Sequence, residues 1–214
     1  MSRSTLRILG ATAIAIALLA VAAFLALRPP EPELAASPHF DLPVACPPDA
    51  GCVVRSFVDQ DPGPEAKDWR CGRLTYDDHK GTDIRVPDGA AMARGVQVLA
   101  AAPGTVLRLR DGMDDVSIRI TGADAVKDRE AGNSVVIGHG GAWETQYAHL
   151  RKDSIAVKPG DVVTAGQPIA LIGLSGNTEF THVHFEVRRG GTRIDPYTGA
   201  AMGEGCDPSA TPLW

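Results

Sequence analysis

The sequence predicts a mainly β protein, an antiparallel β-sheet domain preceded by an N-terminal membrane segment. Short β-type runs alternate with turn signals over much of the chain. The 23 glycines and 16 prolines suit a turn-rich domain better than a helical bundle. In the stretch His182-Val183-His184-Phe185-Glu186-Val187-Arg188, apolar and polar residues alternate strictly. That is the period of a strand with one face buried in a core and the other presenting two imidazoles.

Taken in order, Ile8 to Leu27 carry no charge and follow Arg3 and Arg7. As a helix this run is about 30 Å long, enough to cross a bilayer. It exceeds the usual apolar core of a signal peptide, although Ala20-Val21-Ala22 reads as a cleavage site. Residues 1–27 are therefore expected to be a membrane anchor or a signal segment, and the remainder to be exported. From residue 28 to 43 the composition shifts to Pro, Glu, Ala and Ser, an extended linker that includes His39 as an uncommitted histidine.

Residues 44–72 form a preface bearing three of the four cysteines. The turn-rich spacer of Cys46-Pro47-Pro48-Asp49-Ala50-Gly51-Cys52 pairs those two, which leaves Cys71 with Cys206. Disulfides suit an oxidising compartment. Without Arg3, Arg7 and Arg28, the 21 basic residues fall to 18 against 26 acidic ones, a formal charge of −8. That balance argues against a general nucleic-acid binder.

Strands are expected at Val96–Ala100, Gly104–Leu109, Val116–Ile120, Ser134–Ile137, Thr145–Leu150 and Ile169–Ile172. They are divided by turns such as Pro103-Gly104, Asp111-Gly112, Gly140-Gly141 and Lys158-Pro159-Gly160-Asp161. Gly122 to Gly132 is charged and aperiodic, a surface loop.

Same-face neighbours on a strand lie roughly 6.5–7 Å apart, so His182 and His184 can reach one small site. Alone, such a pair is equally a surface strand with solvated polar groups. Partners are supplied upstream. In Asp78-His79-Lys80-Gly81-Thr82-Asp83, a straight strand would hold His79 and Asp83 roughly 13 Å apart. A bend at Gly81 brings them together, because glycine tolerates the dihedrals a kink needs. His79, Asp83 and one of His182 or His184 then make a nitrogen–nitrogen–oxygen set with a fourth position for water, the build of a catalytic zinc site. The spacing does not choose between the two. His149 ends the strand Gln146-Tyr147-Ala148-His149-Leu150, whereas His139, between glycines at a turn tip, is given a structural role only.

His79-x3-Asp83, Tyr147-Ala148-His149-Leu150, and Ser175-Gly176-Asn177 leading into His182-Val183-His184-Phe185-Glu186 occur in that order. This ordered set resembles the lysostaphin-type (LytM-type) zinc metallopeptidases, which cleave peptide bonds in bacterial peptidoglycan. The likeness runs from about Leu74 to Tyr197 and also takes in Gly132-Asn133 and Asp195-Pro196. It implies a zinc peptidase domain over 73–197 and Zn2+ held by His79, Asp83 and His184; it is silent on the C-terminal tail over 198–214, which the pairing of Cys71 with Cys206 would tie. It implies further that His149 and His182 act on a peptidoglycan peptide. Thr178-Glu179-Phe180-Thr181 departs from the Ser-Thr-Gly-Pro-like turn more usual there, and bears on substrate preference.

No His-Glu-x-x-His helix is present, so imidazole rather than glutamate is the expected general base. Which of His149 and His182 takes the proton stays open. The rival reading is a catalytically silent binding or regulatory protein that activates other cell-wall hydrolases; all five site residues are present, which disfavours it. Lys158-Pro159-Gly160-Asp161 also resembles carrier domains, but no lysine stands at a suitable hairpin tip. Membrane contact is expected through residues 8–27 if they are uncleaved. Oligomeric state has no signature in the sequence.

Overall fold

The computed structural model describes residues 37–47 and 51–214. The membrane or signal segment and most of the linker lie outside the described residues. In chain order the strands are β1 (Val44–Ala45), β2 (Val53–Ser56), β3 (Thr82–Arg85), β4 (Gln97–Leu99), β5 (Gly104–Arg110), β6 (Asn133–Gly138) and β7 (Trp143–Leu150). They continue as β8 (Val162–Val163), β9 (Pro168–Leu171), β10 (His182–Arg189) and β11 (Thr192–Ile194). A short helix α1 (Gly89–Arg94) precedes β4, and a single helical turn α2 (Ile118–Thr121) follows β5.

The larger sheet runs β2-β3-β10-β7-β6-β5-β8, with β11 also paired to β10, and the smaller is β1-β4-β9. All the pairings are antiparallel. The mainly β, antiparallel expectation is therefore met. β10 lies between β3 and β7, so its buried face has neighbours on both sides. Val183, Phe185 and Val187 are all but inaccessible, each contributing about 1.5–3 kcal/mol on burial. They share one core with Tyr147, Ile137 and Val106 of the larger sheet and with Val98 and Ile169 of the smaller.

Two expectations need correction. Val116–Ile120 is not a strand: irregular chain leads into α2, where the Ser117 hydroxyl accepts from Arg119 N at 3.3 Å. Its apolar alternation is not matched by a buried face, since Ile120 is 80% exposed. The extended linker also ends earlier than residue 43. Phe40 is fully buried against Trp143 and Phe185, and its N–H donates to Leu213 O at 2.7 Å. An aromatic ring gains too much from burial to remain in a solvated spacer. Residues 44–72 supply edge strands to both sheets, through Val44 opposite Val98 and Val54 opposite Ile84. Over Gly122–Gly132 the surface loop holds a 3-10 turn at Ala123–Val126, anchored by the buried Val126.

Both disulfides are present with the expected pairing, Cys46–Cys52 and Cys71–Cys206. The first closes 6 residues and the second 135. In the chain-entropy model the long loop is worth roughly 5 kcal/mol and the short one roughly 2. Replacing Cys71 and Cys206 by serine should therefore shift the urea midpoint well beyond the shift from the Cys46/Cys52 pair. Equal shifts would refute the loop-length argument.

Candidate metal centre

Three elements deliver the polar residues. On β10 the face opposite the core carries His182, His184 and Glu186. The β3–β10 register sets Asp83 directly across from His184, and the β7–β10 register sets Ala148 across from the same residue. The chain bends at Gly81, which brings His79 back over Asp83. Glycine is needed there for space rather than for a left-handed backbone. A Cβ at Gly81 would stand 2.5 Å from Phe185 O and 2.8 Å from His184 Nε2. His149 does adopt a left-handed φ of 58° at the end of β7, a strained conformation for a residue with a Cβ. Its N–H donates to Ala131 O at 2.9 Å, which holds it there.

His79 Nε2, Asp83 Oδ1 and His184 Nδ1 form a closed triangle. The sides are 3.1 Å from His79 to Asp83, 2.8 Å from His184 to Asp83 and 3.2 Å between the two imidazoles. Ligands about 2.0–2.1 Å from a tetrahedral ion lie about 3.3 Å apart, so this set fits a zinc-sized ion. His182 Nε2 is 3.4 Å from Asp83 Oδ1, but it does not join the group of three donors that could share an ion. Of the two histidines that strand spacing left open, His184 is the one whose ring nitrogen joins the group with His79 and Asp83.

Each of the four imidazoles is tethered through its rear nitrogen. His79 Nδ1 donates to Phe57 O, His149 Nδ1 to Ser175 O at 2.7 Å, and His182 Nδ1 to Phe180 O at 2.9 Å. His184 uses the other nitrogen, Nε2, which lies 3.3 Å from Glu186 Oε1. Carbonyl oxygens only accept, so the tethered nitrogen of the first three carries the hydrogen and the forward nitrogen keeps its lone pair. The His149 and His182 ring centroids are 4.7 Å apart, beside the triangle.

Burial alone would raise the Asp83 carboxyl, but the imidazoles of His182, His184 and His79 packed around it hold it well below the usual carboxylate range. Burial pushes His149 well below the usual imidazole range, and the neighbouring imidazoles of His182 and His184 push it further, so it is neutral. His184 behaves oppositely: burial works against its charge, but Asp83 and Glu186 outweigh that and raise it to about 9. A cleft of about 460 Å³ exposes His149 and His184 between Tyr76, Lys80, Glu130, Asn177 and Arg193.

His139 lies away from this cluster, bonded to Pro103 O and Thr145 Oγ1 at 2.8 Å each. Glu186 has a part that residue reading did not assign, the tether of His184; its only signal in the sequence is the i+2 position on the same strand face. Ser175 and Asn133 likewise form a buried support. The Asn133 N–H donates to Ser175 Oγ at 2.9 Å, and the Ser175 hydroxyl to Leu150 O at 2.7 Å. A side chain at Gly132 would collide with Ser175 at 2.5 Å.

An antiparallel sheet carrying two histidines and an aspartate around one point, with two further imidazoles beside them, is the architecture of a metallopeptidase domain. The chain belongs to peptidase family M23, whose model matches residues 77–196, more than half of the sequence. It is 36% identical over 124 residues to the peptidoglycan DD-endopeptidase ShyB of Vibrio cholerae, a match covering 58% of this chain and 23% of that protein. It is 30% identical over 118 residues to the murein hydrolase activator NlpD of Escherichia coli, covering 55% of this chain and 25% of the relative. The chain thus spans about a quarter of the length of each. A solved SpoIIQ–SpoIIIAH pore-forming complex includes a chain superposing with a TM-score of 0.51 at 24% identity, covering 75% of this chain and 90% of that one, a likeness of fold.

Proposed function

We propose that the protein is a zinc-dependent endopeptidase that hydrolyses peptide bonds in bacterial peptidoglycan. The observation that carries this reading is the closed triangle of His79, Asp83 and His184 with the free nitrogens of two tethered imidazoles beside it. His79 Nε2, Asp83 Oδ1 and His184 Nδ1 would hold the ion. Bound zinc supplies Lewis acidity and lowers the pKa of its water to about 7. Neutral His149, with Nε2 unprotonated, is suited to take a proton from the attacking water, and His182, once protonated at Nε2, to stabilise charge developing on the scissile carbonyl. The cleft on both sides of the histidines would hold an extended peptide.

An exported location fits the two disulfides and the match to ShyB, with residues 8–27 as the anchor if they are retained. The likeness to NlpD supports the regulatory alternative, in which the cleft binds but does not cut. The complete set of donors and free imidazoles favours the enzyme. Digestion of purified peptidoglycan by zinc-loaded protein should yield new peptide ends by mass spectrometry. Intact peptidoglycan after incubation with fully loaded protein would overturn the enzyme reading in favour of the regulator.

Metal binding should be pH-linked. His184 takes up a second proton below about 9, and an ion held at Nδ1 would have to displace the proton there while Nε2–H stays directed at Glu186. A positive charge in the site opposes the ion, so affinity should fall about tenfold per pH unit below 9. Chelator competition at pH 6.5, 7.5 and 8.5 checks this, and a flat profile would contradict it.

A further inference from the structure

The turn Thr178-Glu179-Phe180-Thr181 supplies the tether of His182 and is itself held from two sides. The Thr178 hydroxyl lies 2.9 Å from Phe180 O, 3.3 Å from Phe180 N and 3.2 Å from His182 Nδ1. It closes the turn by donating to the same carbonyl that receives the His182 Nδ1–H. The Phe180 ring stacks on the His182 imidazole with centroids 4.5 Å apart and planes 26° apart, and Arg85 lies 5.9 Å over Phe180. On the outer side the Arg119 guanidinium grips Glu179 through two nitrogens, one at 2.9 Å. Ser117 Oγ donates to Glu179 O at 3.2 Å, and Ile118 N to Thr178 O at 3.0 Å. The helical turn α2 is therefore fastened along the back of the turn that holds the imidazole.

We infer that Thr178 and the Arg119–Glu179 pair are positioning residues for His182: the closed turn fixes Nε2 as the nitrogen that faces Asp83, 3.4 Å away, and α2 latches the turn. A ring that must meet a reacting group within about 0.5 Å and 10–20° needs such support, because one hydrogen bond leaves it free to swing. Phe180 replaces the freedom of a glycine-like turn with a flat surface against one face of the ring. The exposed ion pair contributes little to overall stability, so its effect is confined to the turn it holds. The inference rests on the proposed action of His182 on substrate, but the state of the ring can be read without any reaction.

The test uses the zinc-loaded full chain with Thr178→Val, Thr178→Ser, Arg119→Ala, and the exchanged pair Arg119→Glu with Glu179→Arg. Two-bond proton–nitrogen NMR spectra report the His182 tautomer, and hydrolysis of peptidoglycan fragments reports kcat and KM. The wild type and Thr178→Ser should show the Nδ1–H form, and Thr178→Val a mixture of both forms. Zinc content should be unchanged. Thr178→Val should lower kcat about fivefold with KM unaltered, the worth of one hydrogen bond. Arg119→Ala should lower it about two- to fivefold, with recovery in the exchanged pair. An unchanged tautomer and kcat in both Thr178→Val and Arg119→Ala would overturn the inference, as would equal impairment in Thr178→Ser. Tautomer changes as expected in a protein that cuts no peptide would uphold the positioning role and remove the peptidase reading.

Discussion

Alanine at His149 or at His182 should leave zinc bound and slow peptide hydrolysis by about 10²–10⁴. Neither side chain belongs to the triangle of His79, Asp83 and His184, so the donors for the ion remain. What is lost is the free nitrogen that handles the proton of the water, or the one that meets charge on the carbonyl oxygen. The expected signature is unchanged metal content with a kcat near background. His39, exposed and outside the cluster, is the neutral control. His139 serves less well, because its removal strips a partner from Pro103 O and Thr145 and destabilises the fold by about 1–3 kcal/mol. Normal activity in both His149→Ala and His182→Ala would sink the mechanism. Loss of zinc from His182→Ala, with zinc kept in His184→Ala, would reverse the assignment of the pair.

Removing the His184 side chain should abolish zinc retention and, with it, all hydrolysis. Two donors would remain, and Asp83 would lose the imidazole closest to it, at 2.8 Å. Glu186 supplies a graded comparison. Its Oε1 orients His184 from 3.3 Å, and outer partners of this kind typically contribute 10–100-fold to metal affinity. Glu186→Gln keeps an oxygen that can accept from Nε2–H and should lie near the low end of that range. Glu186→Ala should lie near the high end, and His184→Ala beyond both. Zinc competition across the three variants gives the order, and full zinc content in His184→Ala would exclude the residue from the site.

Much of this arrangement can be read along the chain. Alternation over His182–Arg188 gives a strand with its imidazoles on one face and Phe185 on the other, and β10 has that form. The turn-rich spacer of Cys46–Cys52 gives the disulfide pairing by elimination. Where periodicity misled, at Val116–Ile120, apolar residues alternate without a buried face to receive them. Phe40 was lost to the composition of its neighbours, since a proline-rich linker conceals the single ring that docks.

By itself the sequence determined the order of chemistry-bearing residues along the chain, the β class, the cysteine pairing and the bend before Asp83. Strand spacing left His182 and His184 equal, and it is the tertiary structure that puts His184 in the triangle, makes Glu186 its tether and shows that Gly81 is there for space. The physical reason is that these depend on register and approach between strands distant in sequence. Asp83 meets His184 because β3 pairs with β10 at that one register, and a shift of one residue would turn every side chain of β10 to the opposite face. A periodic pattern states which face a residue shares, whereas the partner across the sheet is chosen by packing and by the bonds of both strands together.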